Sequence, residues 1–193
     1  MDIKQVLKQG FDTFLGDVVP LSVAALLVIL LTPLSLGLLG GPLAAGLYRM
    51  VLLRLRTGRP PAIGDVFYLE HFGRFVFAFY ALVVLVSVGY MLLIVPGIYL
   101  TAIGLYTVPL MVDRELPFGV AWSQSKAAVD RIGLAPHFGL VLLLALGGAA
   151  LGTLTRLIGS LVWLPFCVCC VAVAYHQLLK TPEAPAPAPL PET

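Results

Sequence analysis

Long apolar runs almost free of charge constrain this chain more than any other feature. Residues 18–37 read VVPLSVAALLVILLTPLSLG, with a kink expected at Pro33. A shorter run, GPLAAGLYRMVLLRL, fills 41–55. Runs 75–95 and 97–112 are broken at Pro96-Gly97, and runs 136–155 and 160–179 are separated by Arg156 and a Gly-Ser. A hydrocarbon layer about 30 Å thick is crossed by about 20 helical residues. Backbone groups in lipid must bond within their own segment, which selects helices. The expected fold is all-α: a polytopic transmembrane bundle of about six crossings, arranged as three hairpins that each turn at Gly or Pro. Composition leaves little alternative, because 60% of the residues are hydrophobic, 11% are charged and the mean hydropathy is +0.99. A water-exposed domain carries roughly 25% charged residues.

Amphipathic segments precede the hairpins. In the first, Ile3, Val6, Leu7, Phe11, Phe14 and Leu15 recur at helical spacing, with Lys4, Gln5, Lys8, Gln9 and Asp12 opposite. In the third, Phe118, Ala121, Trp122, Val129 and Ile132 face away from Ser123, Gln124, Lys126, Asp130 and Arg131. Such helices lie in the membrane interface. The second, around Ile63, Val66, Phe67 and Phe72, is shorter and less regular. The chain thus reads as one domain, 1–180, of three repeat-like units, about 1–56, 60–112 and 115–180. Their return helices carry Tyr48, Tyr106 and Tyr175, each followed by basic residues. The tail TPEAPAPAPLPET, 181–193, is too rich in proline for a helix and is expected to be disordered and extended. The N-terminus lacks the pattern of a cleavable signal peptide.

Charge sets the expected orientation. Lys4, Lys8, Arg49, Arg54, Arg56, Arg59, Arg74, Arg114, Lys126, Arg131 and Lys180 fall on the N-terminal side; of 12 basic residues only Arg156 does not. The positive-inside rule then puts both termini in the cytoplasm of a bacterial inner membrane. A formal charge of +2 implies no nucleic-acid partner.

The segments GGPLAAGLYRM at 40–50, with Arg54, Arg56 and Gly58 close behind, VPGIYL at 95–100 and VPLMVDRELPFGVAWSQSKAAV at 108–129 resemble a group of bacterial inner-membrane proteins. The group includes the YciC-type proteins and the membrane-embedded region of some glycerophosphodiester phosphodiesterases. The resemblance covers residues 3 to 180 and implies a six-helix membrane protein of unknown function. It brings no catalytic residues.

Chemistry-bearing motifs are sparse. No Asp or Glu falls within an apolar run, which argues against a carboxylate-coupled transporter. His71, His137 and His176 lack metal-ligand spacing, and Cys167, Cys169 and Cys170 have no second cluster to complete four ligands, so neither metal nor cofactor is expected. The cysteines read as small packing residues. Gly148 and Gly152 form a G-x-x-x-G that reads as packing within the bundle. The candidate lipid- or partner-binding residues are Arg49, Arg54, Arg56, Trp122, Lys126 and Arg131. Arg49 either meets a lipid phosphate or snorkels, and Trp122, Ser123, Ser125 and Lys126 fall at headgroup depth. Asp113, Arg114 and Glu115 form a polar cluster, expected to pair internally or with the next helix. The function these residues support is a non-enzymatic membrane protein that binds lipids, or a membrane-protein partner or second copy of itself, through cytoplasmic-face helices. The alternatives are a small oligomeric transporter or channel using helices broken at proline, and an intramembrane lipid enzyme.

Overall fold

The structure, a computed structural model, describes residues 2–154 and 156–180, without the side chains of 151–158, 179 and 180. The Pro-rich tail, the Arg156 and Lys180 side chains and the surroundings of Gly152 therefore lie outside the described residues. All regular elements among the described residues are helical: α1 (Ile3–Gly16), α2 (Val18–Leu34), α3 (Gly40–Thr57), a 3-10 turn (Ile63–Val66), α4 (Phe72–Leu92), α5 (Ile94–Gly104), α6 (Thr107–Arg114), α7 (Phe118–Ile132), α8 (Leu134–Leu154) and α9 (Arg156–Lys180). Three segments within them are long and apolar enough to cross a membrane: Phe72–Leu92, Ile94–Arg114 and Gly159–Leu178. The number becomes five if the bent pairs Ile3–Gly16 with Val18–Leu34, and Phe118–Ile132 with Leu134–Ala150, each count as one span. α3 is long enough but, with Arg49, Arg54 and Arg56, is not among them.

The two bent pairs turn through 94° and 109°. Each joins an amphipathic helix to an apolar one. α1 starts with Asp2, whose carboxylate accepts the Lys4 N–H at 2.9 Å, satisfying one of the amides that a helix start leaves open. It ends at Asp17. α7 ends at Gly133, whose φ of +100° suits only glycine without strain. α1 turns Val6, Gly10 and Phe14 inward against α9, while Phe11 and Leu15 stay about half exposed. The second amphipathic segment does not form a surface helix. It is a single 3-10 turn followed by irregular chain, and Val66 and Tyr68 are buried rather than interfacial. Pro61 disfavours helical backbone at Pro60, and Gly64 and Asp65 are weak helix formers in the segment that follows.

α3 occupies the centre, touching α2, α4, α6 and α9. Leu43, Leu47, Met50 and Val51 are fully buried along it. Two of its glycines allow backbone to lie directly on the helix. A Cβ at Gly41 would stand 2.1 Å from the Phe75 carbonyl oxygen, and one at Gly46 would stand 1.9 Å from that of Val66. This is the small-residue approach that membrane helices use in place of a hydrophobic driving force.

Neither the break expected at Pro96-Gly97 nor the kink expected at Pro33 falls where the sequence suggested. α4 ends and α5 begins around Leu93, not at Pro96-Gly97: Leu93 is extended, its N–H reaches Gly89 O at 3.1 Å, and Gly97 N–H reaches Leu93 O at 3.2 Å. Pro96 occupies the first turn of α5, where a missing N–H costs nothing. Pro33 lies in the last turn of α2, which it helps to end rather than kink mid-run. A further break, at Leu105 and Tyr106, divides α5 from α6 because Pro109 cannot donate back along the helix.

Candidate functional site

Of the charged side chains singled out in the sequence, Arg49, Arg54, Arg56 and Asp113 meet partners around the C-terminal half of α3. Arg54 meets Asp17 at 2.7 Å, tying the end of α3 to the α1–α2 elbow. Asp17 is only 9% exposed. Arg54 also donates to Gly58 O, across the left-handed residue that ends the helix. Arg56 pairs with Asp113 on α6, and the same carboxylate oxygen accepts the Tyr175 hydroxyl of α9 at 2.8 Å. The Asp113 side chain is 5% exposed, so one carboxylate, buried between two donors, links three helices. Arg74, opening α4, donates to Glu115 O at 2.8 Å. Arg59 and Asp65 stand 4.0 Å apart on the connecting loop. Buried carboxylates, absent from the apolar runs as sequence, are thus present at their ends and matched with arginines from α3, as burial of charge requires.

Arg49 stacks its guanidinium over the Tyr68 ring at 4.7 Å, a cation–π arrangement. Tyr68 in turn meets Phe75 edge to face, with ring centroids 5.5 Å apart. Burial, and then the neighbouring Glu70 carboxylate, raise the Tyr68 phenol above its ordinary range. Arg49 is not brought to Asp113 or His137.

α7 splits its polar residues. Lys126 and Arg131 are exposed and Trp122 is half-buried, stacked on Phe118 and filling the space beside Gly104. Ser125, expected at headgroup depth with them, is fully buried instead. Its hydroxyl donates to Ile103 O at 2.5 Å and accepts the Tyr106 N–H at 3.1 Å. These are the backbone groups freed at the α5–α6 break, and one hydroxyl bridges both. Of the expected cluster 113–115, Asp113 turns inward to Arg56, Glu115 contributes its backbone carbonyl, and Arg114 is exposed. Cys169 and Cys170 are buried and Cys167 half-buried; a Cβ at Gly10 would strike Cys170 Sγ at 2.7 Å, so Cys170 packs α9 onto α1. Among the described residues no three His, Cys, Asp or Glu side chains gather as a metal site.

Sequence reasoning missed Asp17, Tyr68, Arg74, Ser125 and Tyr175 as partners. Asp17 carried a legible signal, a lone acid between an amphipathic helix and an apolar run. Tyr68 and Ser125 carried none, because their partners are 19 or more positions away in the chain. No family model, curated protein or solved structure matches the chain. The resemblance over residues 3–180 stays a reading of the residues themselves.

Proposed function

We propose that this is a non-enzymatic integral protein of a bacterial inner membrane, with both termini cytoplasmic, that binds lipids or a membrane-protein partner through its amphipathic helices. The observation that carries the reading is the pair of near-right-angle elbows, 94° and 109°, each between an amphipathic helix and an apolar one. If α2 and α8 run across the bilayer, α1 and α7 lie close to its plane, at headgroup level. There α1 offers half-exposed Phe11 and Leu15 to acyl chains, and α7 offers Trp122 with Lys126 and Arg131 to anionic headgroups. Each basic side chain near an anionic surface contributes about 1 kcal/mol. Arg54 and Arg56 act in this reading as internal ties rather than lipid ligands, because both are engaged by carboxylates.

A transporter with ion-binding broken helices has less support. The carbonyl of Ile103, freed at the break within Ile94–Arg114, is already taken by Ser125. The test is native mass spectrometry of the protein in particles of its own membrane. Wild type is expected to retain anionic lipid or a reproducible partner protein, and the double variant Lys126→Gln, Arg131→Gln to retain several-fold less. A bare, partner-free oligomer in both would overturn the proposal and make reconstituted transport the next assay.

A further inference from the structure

An apolar groove of about 280 Å³ runs between α3 and α4, lined by Gly41, Ala44, Ala78, Phe79, Leu82 and Val83 among others, with Val108 of α6 closing one side. Its lining is almost wholly apolar, and Val83 at its rim is 47% exposed. Phe75 also lines the groove and touches Tyr68, on whose ring Arg49 is stacked. On α3 itself Arg49 is rotated about 80° from Gly41, so the cation is joined to the groove through Phe75 and Tyr68 rather than along one helix face. Among the described residues Arg49 has no carboxylate within ion-pair distance, unlike Arg54, Arg56 and Arg59. A cation that lies on an aromatic face and is not neutralised by an acid thus sits at one end of a groove of acyl-chain character. Glu70 and Glu115 stand within electrostatic reach of the same tyrosine, so both signs of charge are present at that end.

We infer that the α3–α4 groove holds one acyl chain of a zwitterionic phospholipid, with its phosphate on Arg49 and its ammonium toward Glu70. This rests on the lipid-binding reading above but uses a different surface and a different headgroup. Adjacent positive and negative side chains match a headgroup that carries both charges, whereas a purely anionic headgroup would meet the two glutamates as like charges. The groove supplies apolar burial for the chain, and Arg49 supplies a planar donor for phosphate.

The full chain is reconstituted in lipid particles with equal phosphatidylethanolamine and phosphatidylglycerol of identical acyl chains, and bound lipid is read by native mass spectrometry. In the Lys126→Gln, Arg131→Gln background, where the α7 surface no longer holds the anionic lipid, the protein is expected to retain one phosphatidylethanolamine in preference to phosphatidylglycerol. Ala44→Phe, which fills the groove, and Arg49→Gln, which removes the cation, should each lower that occupancy about tenfold. Glu70→Gln should abolish the preference between the two lipids. Should Ala44→Phe fail to fold, Val83→Trp fills the groove from its exposed rim. In that background equal retention of both lipids, or preference for phosphatidylglycerol, overturns the inference. So does loss with the groove variants alone, which means tail packing without headgroup recognition, or loss with Arg49→Gln alone, which means a headgroup site without the groove. The Lys126→Gln, Arg131→Gln variant should leave the retained phosphatidylethanolamine unchanged, so failure of the α7 surface and failure of the groove are read separately.

Discussion

Asp113 shows how one side chain binds three helices. Its carboxylate is nearly inaccessible and accepts from Arg56 of α3 and Tyr175 of α9. Removing Arg56 leaves a buried charge without its partner, which costs ~3–5 kcal/mol in a fully buried pair. Arg56 is 42% exposed, so water screens part of the interaction and the expected loss is about 2 kcal/mol. Arg56→Gln should lower the thermal unfolding midpoint in detergent clearly more than Arg59→Gln, whose pair is longer and 60% exposed on the arginine side. Adding Asp113→Asn to Arg56→Gln should recover part of the loss; strictly additive losses would mean the pair is not coupled. Ser125→Ala is the second residue-scale prediction. It orphans Ile103 O and the Tyr106 N–H in a buried setting, for about 1–3 kcal/mol. An unchanged midpoint would show that the α5–α6 break satisfies itself in another way.

At the level of elements, α3 depends on closeness. Gly46→Ala places a methyl 1.9 Å from the Val66 carbonyl oxygen, backbone that cannot rotate away. The loop carrying Tyr68 would have to leave α3, and expression or folded yield should fall severely. Gly73→Ala in the first turn of α4 meets nothing within 4 Å; it should be neutral or stabilise by up to about 1 kcal/mol. Comparing the two in the same folding assay separates close approach from helix propensity, and equal effects would remove the packing explanation. Helix identity was readable from the apolar runs and from the α1 and α7 periodicity, because a 3.6-residue period is a local property. The break positions were not. Proline was expected to mark them at Pro96, but a proline in the first turn of a helix is compatible with that helix, and the chain instead turns at Leu93.

For the whole molecule, the expected orientation follows from the asymmetry of charge. The exposed tip Met91–Val95 carries no charge, and Leu34 and Leu36 at the α2–α3 turn are likewise apolar and 80% and 87% exposed. A C-terminal alkaline phosphatase fusion should be inactive and a fluorescent-protein fusion bright, as cytoplasmic termini require; the opposite pattern would invert the topology. Length, hydropathy and the spread of Lys and Arg determined by themselves that this chain makes apolar helices with the charge confined to the segments that flank them, because those properties depend on each segment alone. Which arginine meets an acid and which stays on an aromatic ring was decided only by the tertiary structure. Arg49, Arg54 and Arg56 lie within eight residues of one helix, and the sequence sets Arg49 apart only by its place within the apolar run. They differ because the helix rotates them toward Tyr68, Asp17 and Asp113, three partners brought from separate stretches of chain by the packing of α3 at the centre of the bundle.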